Sequence, residues 1–298
     1  MDRPGIATIL AVATIGLLWG LNWPAVKFML TEMPPFTIRG IALSTAALLL
    51  GLYARMQGHI LVPPWRELPW MALTGLLTIF GFNVLVALGQ TVTETSKAAI
   101  IAYLMPALTA VFAALFLTER LDTRRLAALG IGMSGIAVLA AENTSDLIAR
   151  PLGPAIMLAS ATVWALGTVA MKAGRFTLSP IALTVWFLGL SGLACWPFVL
   201  ALEPPWEQSM PSRPVIAVLI WHAVLPMVMG YAVWTNLVGK LPAAVAAIAT
   251  LMAPVVGVAS SMILLGDPPG WHKFVALALI LASIALTFLR LSRAQPAP

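Results

Sequence analysis

The chain has 298 residues, of which 60% are hydrophobic and 9% charged, against roughly 25% charged in a soluble domain. No single water-exposed fold hides that much apolar surface, which places the chain in a lipid bilayer. The net charge of +6 falls in short loops and never interleaves with aromatics on a polar surface, excluding nucleic acid as a partner, and the single cysteine, Cys195, excludes an internal disulfide or a Cys-x-x-Cys metal or redox pair.

Apolar stretches of about 20 residues bounded by Pro, Gly and charge predict ten transmembrane helices. They run over roughly residues 6–28, 35–54, 68–89, 96–117, 124–141, 153–173, 180–201, 214–238, 242–265 and 272–290. The first could pass for a cleaved signal, with Arg3 ahead of an apolar run and Ala11-Val12-Ala13 at a possible cleavage point, but the run continues to Phe28 and reads as a span. No alternating, turn-rich pattern of a barrel is present, so helices are the expected way to satisfy backbone amides in hydrocarbon. The fold class expected is an all-α membrane protein.

The spans repeat. Trp19-Gly20-Leu21-Asn22 running to Lys27 returns 145 residues later as Trp164-Ala165-Leu166-Gly167 running to Lys172, and Pro35 and Pro180 keep that offset. Later the register slips, with Pro106 and Glu119 at the end of the fourth span answering Pro254 and Asp267 at the end of the ninth. The division expected is a first five-helix repeat over 1–145 and a second over 146–298. Five spans per half is odd, so the second repeat must be inverted in the bilayer, the arrangement on which many transporters are built around a central cavity.

With a cytoplasmic N-terminus, inner loops hold 11 of the 17 Lys and Arg residues and outer loops hold Lys97, Arg150, Arg213 and Lys273, with Lys27 and Arg39 left over near outer helix ends. The positive-inside rule then puts both termini in the cytoplasm.

In the first span Trp19, Asn22, Trp23 and Val26 share one helical face, and lipid tolerates Asn22 poorly, so that face should look inward. Its repeat counterpart is Trp164, Gly167, Thr168 and Met171, which fits either a cavity wall or a close helix seam. Phe82 and Tyr231 are placed alike in spans three and eight, followed by Asn83 in one and by Trp234 and Asn236 in the other. Tyr103 and Pro106, and Thr250, Met252 and Pro254, mark spans four and nine. Each proline should kink its helix and free a carbonyl, which either accepts from a ligand's ammonium or is satisfied by neighbouring groups. Trp65, Trp70, Trp206 and Trp271 sit at span ends and read as interfacial belts.

Three further residues carry charge or titrate. Lys27 and Arg39 are expected to snorkel to the headgroups, with pairing to a substrate carboxylate or an outer gate as the alternative. His222 reads as a packed, hydrogen-bonded histidine, facing away from Tyr231 unless Pro226 kinks the eighth span. All 11 Asp and Glu residues fall in loops; a buried proton relay normally needs one at mid-membrane, so movement down the substrate's own gradient is expected.

The Trp-Gly-x-Asn-x-Pro string (Trp19, Gly20, Asn22, Pro24), Arg39 early in span two, the run from Ala98-Ala99 through Pro106 to Glu119-Arg120, and its partner from Ala246-Ala247 through Pro254 to Asp267 resemble the EamA-type branch of the drug/metabolite transporter superfamily. The likeness covers nearly the whole chain and is greatest to bacterial inner-membrane exporters of aromatic amino acids. It departs in the second half, where Gly167, Val169 and Thr184 replace the Asn, Pro and Arg. The resemblance implies a ten-helix basket in which spans one, three, four, six, eight and nine surround the cavity and five and ten lie outside. It also implies a small-molecule substrate, no cofactor and no metal; oligomeric state is left open, a monomer sufficing. The small four-helix exporters of the superfamily carry a glutamate where this chain has Asn22.

The function expected is export of small amphipathic metabolites, aromatic or hydrophobic amino acids foremost, by alternating access. The alternative in the same class is an exporter of other metabolites or cationic drugs, including a proton-coupled one. An intramembrane enzyme is disfavoured because His59, His222 and His272 are scattered, and a channel because rings of charge and a repeated filter string are missing.

Overall fold

A computed structural model describes residues 6–93, 95–117, 119, 122–141, 151–264 and 270–288. The described residues form helices and short connections, without a strand. Ten spans follow one another: α1 Ile6–Met29, α2 Pro35–Met56, α3 Trp65–Val92, α4 as Thr95–Ala102 with Met105–Phe116, α5 Thr123–Ala141, α6 Leu152–Ala173, α7 Pro180–Leu202, α8 Arg213–Lys240, α9 as Ala243–Ala249 with Met252–Leu264, and α10 Trp271–Phe288. Prolines in the first turn open α2, α7 and α8, where the missing N–H costs no helical bond. Trp65, Trp206 and Trp271 are exposed at span ends, as interfacial residues are.

Boundaries depart from the sequence expectation by a few residues, and the interiors depart more. α4 breaks at Tyr103–Leu104 and α9 at Thr250–Leu251, in each case within one turn ahead of the proline. At the α9 break the Thr250 carbonyl, which an N–H at position 254 would have taken, accepts from Ala253 N at 3.0 Å. That carbonyl therefore has a partner within the chain itself. α3 and α8 carry wide π-helical segments, Leu76–Gly81 and Ala223–Gly230, each ending at the glycine ahead of the matched Phe82 and Tyr231. Such segments rotate the residues that follow relative to a plain α-helix.

The two repeats interlock. α2 packs along α7 and α5 along α10, while α1 lies on the second piece of α9 as α6 lies on the second piece of α4. Small residues permit the last two contacts: a Cβ at Gly20 would sit 2.7 Å from the Ala253 carbonyl oxygen, and Ala161 and Ala165 are fully buried on α6.

Carboxylates tie the connecting segments together. Glu32 accepts from Ser212 N at 2.6 Å and Ser212 Oγ at 2.7 Å. Glu67 accepts from Thr177 N at 3.2 Å and Thr177 Oγ1 at 2.7 Å. Glu203 caps α2 through Phe36 N and Thr37 N at 3.0 and 2.7 Å, and Glu119 caps α9 through Ala243 N at 3.0 Å. Each caps or braces a segment of the other repeat, where anions are favoured near helix N-termini. Every one of these contacts joins loops that an odd number of spans per repeat puts on one face: Glu32 with Ser212 and Glu203 with Thr37 on one, Glu67 with Thr177 and Glu119 with Ala243 on the other. The proposed boundary at 145/146 lies outside the described residues.

Candidate functional site

A cavity of about 510 Å³, counting its open mouth, is lined by Trp19, Asn22, Trp23 and Val26 of α1, Arg39 of α2, and Phe82, Asn83, Val86 and Gln90 of α3. Tyr103 and Met105 of α4, Trp164 of α6, Met227 and Tyr231 of α8, and Thr250 and Ala253 of α9 complete it. At 1.5 Å per residue, Trp19 lies about 15 Å of helix in from the end of α1 and Gln90 about 3 Å in from the end of α3. The space therefore runs from mid-membrane toward the face that carries Glu32 and Glu203.

Its deep end is aromatic. Trp19 meets Trp164 edge-on with ring centroids 5.3 Å apart and Tyr231 at 5.5 Å; Phe82 meets Trp164 at 4.7 Å. Trp234 stands behind them, 5.1 Å from Trp164, and does not line the cavity. The rings converge because the π segment of α8 lets Trp19 Nε1 donate to the Pro226 carbonyl at 3.2 Å. Gly230 leaves room for that indole, since a Cβ there would come within 2.5 Å of Nε1. Trp164 Nε1 is buried without a partner. Such rings give a rigid apolar wall suited to stacking.

Beside the rings runs a polar chain. Arg39 is fully buried, which overturns the expectation that it snorkels: α2 turns that face toward α3 and α8, away from lipid. Its Nε donates to the Asn83 carbonyl at 3.0 Å, and Nη1 lies 3.0 Å from His222 Nε2. His222 Nδ1 lies 2.6 Å from Asn22 Oδ1. An arginine can only donate, so Nε2 accepts, the ring proton sits on Nδ1, and His222 is neutral. Here too an expectation is refined: His222 does not open on the cavity, but it joins Asn22 and Arg39, which do. Asn83 Nδ2 donates both to the Ile79 carbonyl at 2.9 Å and to Tyr231 Oη at 2.5 Å. A carbonyl can only accept, so the nitrogen is fixed, and Tyr231 accepts with its own proton unspent. Trp23 Nε1 likewise donates to Tyr103 Oη at 2.9 Å.

The remaining candidates fall elsewhere. Lys27 Nζ caps α3 at the Gln90 carbonyl, 2.6 Å away, as Lys172 Nζ caps α8 at Val238 and Leu241. Thr168 Oγ1 is spent on the Trp164 carbonyl at 3.0 Å and is absent from the wall. Met252 packs over Gly16 and is absent from it too. Pro106 and Pro254 shape the walls without lining them. Gly167 closes a seam, since a Cβ there would sit 2.6 Å from Thr78 N. Val86, Met105, Met227, Ala253 and Gln90 join the wall without having been singled out in the sequence, and Val26 joins it with the rest of its inward face. Val86 and Gln90 follow Asn83 at helical spacing, a signal that was present. Gln90 is fully buried with neither end of its amide bonded.

Comparisons with known proteins agree with this architecture. The EamA-like transporter family profile matches twice, over residues 6–141 and 151–289. The chain is 30% identical to "Uncharacterized transporter YvbV" of Bacillus subtilis (strain 168), covering 99% of this chain and 95% of that one. It is 25% identical to the "Probable terminal-alkyne amino-acid exporter" of Streptantibioticus cattleyicolor, covering 94% and 91%. A solved crystal structure superposes with a TM-score of 0.77 at 20% identity, covering 95% of this chain and 96% of that one.

Proposed function

The chain belongs to the EamA-like transporter family, and on that premise we propose that it exports small amphipathic metabolites, aromatic or other hydrophobic amino acids foremost, by alternating access. The observation that carries this reading is the joint of rings, Trp19, Phe82, Trp164 and Tyr231, at the deep end of a cavity with polar groups along one side. A flat apolar side chain stacks there while a polar backbone finds hydrogen bonds. The relative named as an amino-acid exporter supports the same substrate class.

The basic loops favour cytoplasmic termini in a bacterial inner membrane, which makes the face of Glu32 and Glu203 the outer one and the cavity outward-leaning. Transport runs without a proton relay in this reading. The described acids, Glu32, Glu67, Glu119, Asp122, Glu203 and Glu207, lie at span ends or in connections, and His222 is held neutral between Arg39 and Asn22. Alternating access then consists of rocking the repeats about the rings, with Glu32–Ser212 opening on one face and Glu67–Thr177 on the other.

Cells loaded with a panel of amino acids and cationic dyes, with and without the protein, test the function. Faster loss of phenylalanine, tyrosine or leucine is expected. Loss of dyes alone would replace this reading with a drug exporter.

A further inference from the structure

Arg39 is a buried cation without a counter-charge. Its two protein partners are a backbone carbonyl and a neutral imidazole, and among the described residues no carboxylate reaches it. Glu203, which caps the start of the same helix from the end of α7, is spent on the amides of Phe36 and Thr37. An isolated buried charge is costly unless paired, yet this one forms part of the cavity wall. The groups around it are short of acceptors. Asn83 Nδ2 donates to Tyr231, and Trp23 donates to Tyr103, so each phenol presents an unused O–H. Both phenols line the same cavity.

We propose that Arg39 and the Tyr231 hydroxyl form a carboxylate-binding subsite, and that the transported molecule supplies the missing negative charge. Arg39 suits this role because its planar fork takes a carboxylate through parallel hydrogen bonds, and because Asn83 and His222 already fix its orientation. The ring cluster lies next to it through Tyr231, so a carboxylate held there leaves an attached aromatic group against Trp19 and Trp164. An ammonium alone gains nothing from this end of the cavity. Selection is therefore for amphipathic acids and against amphipathic amines. This inference rests on the cavity being the substrate site.

The test uses the purified full-length protein and three probes of similar shape: 3-phenylpropionate, L-phenylalanine and phenethylamine, with binding read by quenching of tryptophan fluorescence. The wild type should bind the first two and bind phenethylamine at least roughly tenfold more weakly, as the loss of a charge-assisted pair implies. Arg39→Met should weaken 3-phenylpropionate by a similar factor and leave phenethylamine unchanged, with Arg39→Lys in between. A purely structural arginine would weaken all three probes alike on replacement, whereas loss of the subsite weakens the two carboxylates alone. If Arg39→Met fails to fold, Tyr231→Phe carries the test, weakening 3-phenylpropionate alone. Binding of phenethylamine as tight as that of 3-phenylpropionate, binding of none of the three, or acid binding indifferent to Arg39 and Tyr231 would overturn the subsite. Export of amino acids with Arg39-independent affinity would overturn the subsite alone. Arg39-dependent acid binding without amino-acid export would overturn only the substrate reading.

Discussion

Arg39 and His222 share a hydrogen bond of 3.0 Å inside the membrane, across 183 residues of chain and across the two repeats. The arginine's inability to accept dictates the histidine's tautomer, and the tautomer dictates that Asn22 accepts from Nδ1 at 2.6 Å. Three side chains from α1, α2 and α8 are thereby set by one another. His222→Leu strands both neighbours and should lower stability by about 2–3 kcal/mol, the loss expected for a hydrogen bond to a charged group. His222→Gln, which can both accept and donate, should recover much of it. Melting of the detergent-solubilised variants checks the pair; equal stability of Leu and Gln at this position would mean that the network contributes nothing.

The contact of Glu32 with Ser212 is repeated by Glu67 with Thr177, in reverse. Residues 32 and 177 are 145 apart, as are 67 and 212, so the inverted repeat preserves the contact while the carboxylate changes partner. In the proposed alternating-access cycle both contacts open in turn. Cysteines at 32 and 212, or at 67 and 177, should crosslink under mild oxidation, arrest transport, and release it on reduction. Undiminished flux through fully crosslinked protein would remove these segments from the cycle.

The same contact carries a pH dependence. The Ser212 amide and hydroxyl hold the Glu32 carboxylate below the usual range, so its contribution is present above the ordinary carboxylate pKa and is lost as pH falls through the lowered value. Protection of the Ser212 amide from hydrogen exchange, corrected for the intrinsic rate at each pH, should therefore fall in acid, below about pH 4, in the wild type. In Glu32→Gln the protection should be low throughout. A wild-type profile that is flat on acidification would contradict the assignment.

Much of this architecture was readable from the chain. Apolar length and proline or glycine punctuation marked ten spans because lipid leaves the backbone no alternative to helix, and the Trp19 and Trp164 strings exposed the duplication. What escaped was depth. Arg39 lies only one turn into α2, where a long cation ordinarily reaches the headgroups; its inward course follows from how α2 sits against α3 and α8, a tertiary fact. Gln90 escaped for a similar reason, as a polar residue near a span end reads as interfacial. Thr168 looked like a wall residue, but its hydroxyl had a carbonyl of its own helix within reach. The π segments of α3 and α8, which aim Tyr231 and free the Pro226 carbonyl for Trp19, leave no periodicity strong enough to see.

Gln90 offers a contrast with Arg39. Its amide is buried and unbonded, about 10 Å along α3 from Asn83 at helical rise, with Val86 between. Gln90→Leu should leave the ligand-free protein as stable or raise it by about 1–3 kcal/mol, since an unsatisfied polar group is replaced by an apolar one. Its melting temperature against that of the wild type measures the effect; a loss of more than about 1 kcal/mol would mean that the amide is bonded in the folded protein.

Net efflux of labelled phenylalanine from loaded proteoliposomes tests the central claim most directly, that a cavity lined by no acid carries its substrate down that substrate's own gradient. With the phenylalanine gradient held and the pH gradient collapsed by ionophore, the label should leave at the rate seen with the pH gradient intact. Efflux that stops when the pH gradient is collapsed would contradict the account.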